Sequence, residues 1–175
     1  AYHDLLQYEN SINYYNQSIT IDPNYAEAHN NLGNVLRDTD HFDEAIDSYK
    51  RALNINPHYF EVHYSLAITY EDVGDFNYMI SHLDNVLMIN PNLAEAHNKL
   101  GVGLFELNKL DDAVKSYQKA LEINPNFSEA YNNLGNTFKE LNQLNKAVTS
   151  YKKALEINPD YPALHNNLGN AYKEL

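Results

Sequence analysis

The chain has 175 residues, with 12 Lys and Arg against 24 Asp and Glu, and its formal net charge at pH 7 is −12. This charge opposes attraction to phosphate backbones and anionic lipid, so we expect neither nucleic acid nor a membrane surface as a partner. The absence of cysteine excludes disulfides and thiolate chemistry. No apolar run approaches the ~20 residues of a membrane helix, and no charged-then-apolar leader is present. We therefore expect a soluble protein of the cytoplasm or nucleus.

The sequence is an array of one short repeat, because proline recurs every 34 residues. The recurring prolines are Pro23, Pro57, Pro91, Pro125 and Pro159. Complete repeats span 26–59, 60–93, 94–127 and 128–161, and partial repeats span 1–25 and 162–175. We expect residues 1–175 to form a single array in which each repeat contacts only its neighbours. Because the chain begins and ends within a repeat, we also expect it to be a piece of a longer protein.

Each repeat is predicted to form two amphipathic helices joined by a tight turn. In the repeat 128–161, apolar residues recur at helical spacing before Asn142, at Leu134 and Phe138, and again from Leu144 onward. The turn falls on residue types that tolerate a left-handed backbone and so end helices. These turn residues are Asp40, Gly74, Asn108 and Asn142.

The ends of the repeats carry helix start and stop signals. Asn followed three residues later by Glu has the spacing of a capping box, which predicts that the Asn side chain caps the next first helix. This spacing occurs at Asn24 and Glu27, Asn92 and Glu95, and Asn126 and Glu129. The proline just before cannot continue a helix, so it ends the preceding repeat.

Small residues in both helices predict a close approach of the two backbones within each hairpin. The expected pairs are Gly33 with Ala45, Gly101 with Ala113, and Gly135 with Ala147. The second complete repeat departs from this pattern, with Ala67 for Gly, Met79 for Ala, and Leu83 for the Tyr of the other repeats. We expect volume to be moved between the helices there rather than lost, and a locally different hairpin angle.

Together these columns resemble the tetratricopeptide (TPR) repeat. The resemblance rests on the 34-residue period, the two columns of small residues, the aromatic residue between them and the proline near the end of each repeat. The column that usually holds Trp in that family departs, since it contains His29, His63, His97, Tyr131 and His165. The resemblance implies an all-α fold, a right-handed α-solenoid of stacked helix-turn-helix TPR repeats, whose first helices line a concave groove.

No catalytic, metal or nucleotide site is predicted. The recurring histidines lie in separate repeats, so we expect them to pack between helices and not to converge on one ion. Gly101 and Gly103 lie inside a predicted helix, and no Gly-Lys-Ser or Gly-Lys-Thr follows them, which excludes a phosphate loop. There is no Gly-X-Ser-X-Gly elbow. We therefore expect a protein that is not an enzyme and that uses no cofactor or metal.

The polar residues of the first helices form the candidate site. Positions i and i+4, such as Asn30 and Asn34, share one face of a helix. An amide side chain both donates and accepts, so a series of amides can pair with the backbone of an extended peptide whatever its side chains. The alternative is that these asparagines are merely solvated or cap helices. The predicted peptide-binding residues are Asn30, Asn31, Asn34, Tyr64, Asn98, Lys99, Asn132, Asn133, Asn136, Asn166, Asn167 and Asn170.

The charge of these helices predicts which partner they accept. Carboxylates recur along them, in one column from Glu27 to Glu129 and in a second from Asp38 to Glu174, so the edges of the groove should be acidic. The TPR clamp that holds an acidic carboxylate tail needs Lys, Asn, Asn, Lys and Arg across three successive first helices, and Lys99 is the only plausible member here. We predict a neutral or basic, extended peptide or protein partner.

A narrower resemblance concerns the stretch Ala26–Leu36 and its echo Asn132–Asn136. Both resemble the TPR repeats that precede the catalytic region of O-linked N-acetylglucosamine transferases. In that family an asparagine ladder holds the polypeptide to be glycosylated. By position the resemblance implies the ladder residues Asn31, Asn133 and Asn167, with interruptions at Ser65 and Lys99.

Three functions are consistent with the sequence. The first is a protein-interaction scaffold that binds an extended peptide in its groove. The second is the substrate-recognition region of a glycosyltransferase like the O-GlcNAc transferases. The third is end-to-end self-association, because the last helix carries Leu164, Leu168 and Tyr172 but has no second helix to cover them.

Overall fold

The computed structural model describes the backbone of residues 2–175 and the side chains of residues 7–175; Ala1 and the side chains of 2–6 lie outside the described residues. All regular structure within this range is helical, so the all-α prediction is confirmed. The helices are α1 (Tyr2–Ile21), α2 (Ala26–Asp38), α3 (Phe42–Ile55), α4 (Phe60–Asp72), α5 (Phe76–Ile89), α6 (Ala94–Glu106), α7 (Leu110–Ile123), α8 (Ser128–Glu140), α9 (Leu144–Ile157) and α10 (Pro162–Glu174).

The helices pair as predicted, with one hairpin in each complete repeat: α2 with α3, α4 with α5, α6 with α7, and α8 with α9. The predicted turn residues all have a left-handed backbone, with φ of 61° at Asp40, 76° at Gly74, 58° at Asn108 and 56° at Asn142. Glycine, asparagine and aspartate enter this conformation at lower cost than other residues. The turn prediction is confirmed at all four positions.

The chain forms two compact units, an N-terminal unit of residues 1–89 and a C-terminal unit of residues 90–175. The N-terminal unit contains α1 to α5, and its fully buried side chains include Tyr49, Leu66 and Leu83. The C-terminal unit contains the third and fourth complete repeats and α10. Its buried cluster includes Tyr117, Leu134, Phe138, Tyr151 and Leu164.

In three hairpins the close contact is between glycine and tyrosine, so the prediction that glycine faces alanine there is wrong. A Cβ added to each glycine would lie 2.5–2.6 Å from the ring of a tyrosine on the second helix, closer than real side chains approach. The pairs are Gly33 with Tyr49, Gly101 with Tyr117, and Gly135 with Tyr151. The predicted partners Ala45, Ala113 and Ala147 are fully buried, but the tyrosine ring occupies the space over the glycine.

The second complete repeat fills the same space with a different pair. Ala67 stands in the glycine column and Leu83 in the tyrosine column, and both side chains are fully buried. Leucine is smaller than tyrosine, so it leaves room for the methyl group of Ala67. The volume of the two positions together is roughly conserved, which is the kind of exchange that packed cores tolerate.

Turns around the prolines, and not capping boxes, join one repeat to the next. The N-cap residues of the first helices and α10 make no side-chain cap bond; they are Tyr25, Tyr59, Leu93, Phe127 and Tyr161. Asn24 lies one residue too early to cap α2, so the capping-box prediction is wrong. Instead, the side chain before the proline accepts a hydrogen bond from the backbone N–H two residues later. These bonds join Asp22 to Asn24, Asn56 to His58, Asn90 to Asn92, and Asn124 to Asn126, at 3.0–3.3 Å.

The histidines of the Trp column fasten these turns. The Nε2 atom of each lies 2.9–3.0 Å from the carbonyl oxygen of the proline six residues earlier, in the pairs His29 with Pro23, His63 with Pro57, His97 with Pro91, and His165 with Pro159. A carbonyl oxygen only accepts, so Nε2 carries the proton and donates. Each histidine thereby ties the turn between two repeats to the helix that follows it.

His63 has a second partner, His82 of α5, and their Nδ1 atoms are 3.0 Å apart. Because Nε2 of His63 donates to Pro57, its Nδ1 accepts and His82 donates. The ring of Tyr70 stacks on His82 with centroids 5.7 Å apart. Burial, followed by the charges of His63 and Lys50, lowers the pKa of His82 to about 4.

We expect the stability of the N-terminal unit to fall as the pH drops from 6.5, the ordinary pKa of His82, towards about 4. The unfolded chain takes up the proton in this window while the folded chain resists it, so acid favours unfolding. His82→Ser, which places the residue found at positions 48, 116 and 150, should reduce this pH dependence. Urea denaturation at about pH 7 and about pH 5 measures it, and His41→Ser is the exposed control. If the stability of His82→Ser fell between these two pH values as much as that of the wild type, the pH dependence would not arise from His82.

We expect Gly101→Ala to destabilise the C-terminal unit by about 1–3 kcal/mol, because the new methyl group meets the Tyr117 ring. Gly169→Ala is the matched control, since nothing lies within 4 Å of its added Cβ; it should stabilise α10 by up to ~1 kcal/mol through helix propensity. Adding Tyr117→Leu to Gly101→Ala, as in the second repeat, should recover part of the loss. Urea denaturation measures all three, and wild-type stability in Gly101→Ala would refute the contact.

Candidate functional site

The predicted site residues lie on the first helices of the hairpins and on α10. They are Asn30, Asn31 and Asn34 on α2, Tyr64 on α4, Asn98 and Lys99 on α6, Asn132, Asn133 and Asn136 on α8, and Asn166, Asn167 and Asn170 on α10. Asn30 and Asn98 are buried, Asn166 and Asn170 are exposed, and the others are half-buried. We call the surface formed by α2 and α4 the first-helix face of the N-terminal unit. The surface formed by α6, α8 and α10 is the first-helix face of the C-terminal unit.

In the C-terminal unit, asparagines bond between neighbouring first helices. Nδ2 of Asn133 donates to Oδ1 of Asn98 at 3.2 Å, and Nδ2 of Asn167 donates to Oδ1 of Asn132 at 3.0 Å. Nδ2 of Asn98 donates in turn to the Glu129 carboxylate at 3.0 Å. These asparagines therefore bond neighbouring repeats to one another, a role that sequence reasoning missed.

The same contact is incomplete in the N-terminal unit. Ser65 stands where Asn133 and Asn167 stand in later repeats, and its Oγ donates to Oδ1 of Asn34 at 3.4 Å. Oδ1 of Asn30 is buried and has no hydrogen-bond partner among the described residues. The serine side chain is one bond too short to reach both asparagines. A buried acceptor left unpaired lowers stability.

Tyrosine hydroxyls orient two of the asparagines. The Tyr49 hydroxyl donates to Oδ1 of Asn34 at 2.8 Å, and the Tyr151 hydroxyl donates to Oδ1 of Asn136 at 2.7 Å. Asn167 adds a second bond to Oδ1 of Asn136 at 3.4 Å. With the carbonyl oxygens occupied, the amide nitrogens of Asn34 and Asn136 remain available, since neither has a partner among residues 7–175.

The third repeat lacks this tyrosine–asparagine bond. Val102 stands in the column of Asn34 and Asn136, so the Tyr117 hydroxyl has no hydrogen-bond partner in the described part of the chain. A pocket of about 140 Å³ opens beside it. The signal was present in the sequence, because Asn and Tyr occur 15 residues apart in the first and fourth repeats but not in the third.

Electrostatics differ between the two units. Residues 1–89 contain 14 Asp and Glu against 3 Lys and Arg, a formal charge of −11, whereas residues 90–175 contain 10 against 9, a charge of −1. In the C-terminal unit, burial and then the carboxylates of Glu174 and Glu140 raise the pKa of Tyr151 to about 12. Its hydroxyl therefore keeps its proton at neutral pH and donates to Asn136.

The described residues contain neither a candidate metal site nor a helix able to span a membrane. No cluster of three or more His, Asp or Glu in this part of the chain is arranged to hold a metal ion. Nor does any described helix combine the length and apolar character that crossing a membrane requires.

The sequence matches the TPR repeat family over residues 1–39, 33–74, 103–141 and 135–175. These matches cover most of the chain, and the chain belongs to the TPR repeat family. It is a helical-repeat, protein-binding scaffold, and the family it matches is not a catalytic one. No curated protein matches the sequence significantly.

Several solved structures share the fold. One crystal structure of MamA is 30% identical, covers 81% of this chain and 83% of that chain, and has a TM-score of 0.78. A second MamA structure is 28% identical, covers 85% and 81%, and has a TM-score of 0.81. The structure of YrrB, a TPR protein with an unusual peptide-binding site, is 24% identical, covers 98% and 86%, and has a TM-score of 0.84. The likeness to YrrB shows the shared TPR solenoid fold.

We expect Ser65→Asn to stabilise the N-terminal unit by about 1 kcal/mol, because an amide at this position can bond to both Asn30 and Asn34. Asn167 makes the equivalent pair of bonds in the C-terminal unit. Conversely, removing an amide from the C-terminal unit by Asn133→Ala should lower its stability by about 1–3 kcal/mol, because the change leaves Oδ1 of the buried Asn98 unpaired. Urea denaturation measures both. Equal stability of Ser65→Asn and wild type would show that Asn30 already has a partner, such as water.

Proposed function

We propose that the protein binds an extended polypeptide segment on the first-helix face of its units and recognises the peptide backbone through asparagine amides. The observation that carries the proposal is the environment of Asn34 and Asn136. In each, a tyrosine and a side chain of the next repeat occupy the carbonyl oxygen, so the amide N–H groups remain as donors. The exposed Asn170 occupies on α10 the position that Asn136 occupies on α8.

These amides suit a peptide backbone because they are already oriented. Hydrogen bonds to Oδ1 fix the plane of the Asn34 and Asn136 side chains, so less rotational freedom is lost on binding. Carbonyl oxygens occur at every residue of an extended chain. Donors repeated on successive helices can therefore hold one segment with little regard to its side chains.

The charge of the N-terminal unit supports a neutral or basic partner. Its formal charge of −11 attracts cations at long range and repels acidic segments. YrrB, which shares the fold, is a TPR protein with an unusual peptide-binding site, and this supports peptide binding by a chain of this architecture.

Asn136→Asp tests the proposal with little change of shape. The carboxylate keeps the oxygen that accepts from Tyr151 and Asn167 but removes the free N–H donors. We expect affinity for a capped, uncharged octapeptide of Ser, Thr and Val to fall about threefold to tenfold, corresponding to one hydrogen bond. Calorimetry or NMR titration measures it.

Asn145→Asp is the matched control, because it adds the same charge at an exposed position of the second helix α9. It should leave the affinity for the octapeptide unchanged. Equal affinity of Asn136→Asp and wild type would refute backbone recognition by this amide.

A narrower form of the proposal is the substrate-recognition region of an O-GlcNAc-transferase-like enzyme. The column of Asn31, Asn133 and Asn167 supports it, and the interruptions at Ser65 and Lys99 weaken it. The Nδ2 groups of Asn133 and Asn167 also donate hydrogen bonds to asparagines of the preceding repeat, so they are already engaged within the protein. A sugar-nucleotide-dependent catalytic region in the full-length gene would support this form, and its absence would reject it.

End-to-end self-association is the remaining proposal, and α10 gives it limited support. Leu164 is fully buried and so contributes nothing to an exposed end, whereas His165 and Asn166 beside it are exposed. Tyr172 is half-exposed, with the Lys152 ammonium 5.6 Å from its ring centroid. Light scattering over a range of concentrations tests this proposal, and a constant monomer mass would reject it.

A further inference from the structure

We propose that the pocket of the third repeat takes a lysine side chain of the bound polypeptide. The pocket is lined by Val102, Phe105, Glu106, Tyr117, Asn133 and Asn136, and it measures about 140 Å³. The proposal rests on the proposed function, because the pocket opens beside the asparagines that would hold the peptide backbone. The pocket would add a preference for one side chain to a site that otherwise recognises only the peptide backbone.

The pocket exists because the third repeat changes one residue of a recurring pair. In the first and fourth repeats, an asparagine projects over the tyrosine hydroxyl and accepts its hydrogen bond. In the third repeat, Val102 holds that position and has no polar atom to offer Tyr117. The second repeat has Leu83 in the tyrosine column, so it lacks the hydroxyl altogether. Among the complete repeats, only the third has a tyrosine in the column of Tyr49 and no asparagine in the column of Asn34.

The Tyr117 hydroxyl is the clearest sign that a ligand belongs here. Tyr117 is 2% exposed and lines the pocket, yet its hydroxyl has no partner among the described residues. This oxygen is not among the buried unpaired atoms, so it faces the open space of the pocket, and a ligand that displaces water there has to supply a hydrogen bond to it. A polar atom of a bound side chain would satisfy it.

The remaining lining residues favour a long aliphatic side chain that ends in a cation. Val102 and Phe105 offer apolar surface to methylene groups. The Glu106 carboxylate, Oδ1 of Asn133 and the Tyr117 hydroxyl oxygen can each accept a hydrogen bond, which matches the three donors of a lysine ammonium. Burial, and then the charges of Glu106 and Glu129, raise the pKa of Tyr117, so the local field is negative. A carboxylate side chain would be repelled here, and an apolar one would leave the hydroxyl unpaired.

The experiment compares three versions of the uncharged octapeptide, in which one central valine is replaced by lysine, norleucine or glutamate. NMR titration of the isotope-labelled chain at about 0.15 M salt gives the affinities and locates the perturbed amides. We expect the lysine peptide to bind about threefold to tenfold more tightly than the norleucine peptide, with glutamate weakest. The largest shift differences between the lysine and norleucine peptides should fall at residues 102–106 and 117.

Variants test whether the pocket causes this preference. Tyr117→Phe and Glu106→Gln should each reduce the ratio of lysine to norleucine affinity. Val102→Asn should bring the ratio close to one, because an asparagine here, as at positions 34 and 136, can accept from Tyr117 and fill the pocket. Tyr49→Phe, which removes the corresponding hydroxyl from the first repeat, should leave the ratio unchanged.

The outcomes separate the two proposals. Equal binding of the lysine and norleucine peptides would overturn the pocket while leaving backbone recognition intact. A lysine preference that persists in Val102→Asn would also overturn it, since the preference would then arise elsewhere on the acidic surface. Failure of every peptide, including the uncharged parent, would overturn the pocket and the proposed function together.

Discussion

The contact between a tyrosine ring and a glycine backbone sets the geometry of three of the four hairpins. In the first, the ring of Tyr49 occupies the space that a Cβ on Gly33 would need, so the first helix can lie directly against the ring. The ring passes over the first helix, and its hydroxyl reaches Asn34 on the first-helix face. One side chain therefore both packs the hairpin and orients an amide of the candidate site. Where the second repeat has leucine instead, the packing is kept and the polar link is lost.

The asparagines on the first helices take part in one hydrogen-bond network. Asn98, Asn133 and Asn167 bond between successive first helices, so they stabilise the stacking of repeats. Asn34 and Asn136 use their carbonyl oxygens in the same network, and their N–H groups have no partner among residues 7–175. A polar network of this kind stabilises the fold only when its members are satisfied. That explains why a serine at position 65 matters: it leaves Asn30 unpaired in an otherwise buried environment.

Departures from the common repeat make the individual repeats chemically distinct. Identical repeats would present identical hydrogen-bond donors. Val102 removes one acceptor and opens a pocket beside Tyr117. His82, which replaces a serine found in three other repeats, is half-buried and pairs with the buried His63, and its pKa is lowered to about 4. Each change is local because each repeat contacts mainly its neighbours.

The sequence by itself determined the period, the helices and the turns. Asp40, Gly74, Asn108 and Asn142 could be placed because a left-handed residue and a 34-residue period depend on local backbone preference and on spacing. It also placed the candidate site on the first helices. Only the tertiary structure decided what each side chain contacts: that glycine meets tyrosine and not alanine, that histidine bonds to the proline carbonyl, and that Asn133 donates to Asn98. These contacts join residues 6 to 35 positions apart, and they depend on side-chain length and on the angle between packed helices, which periodicity does not specify.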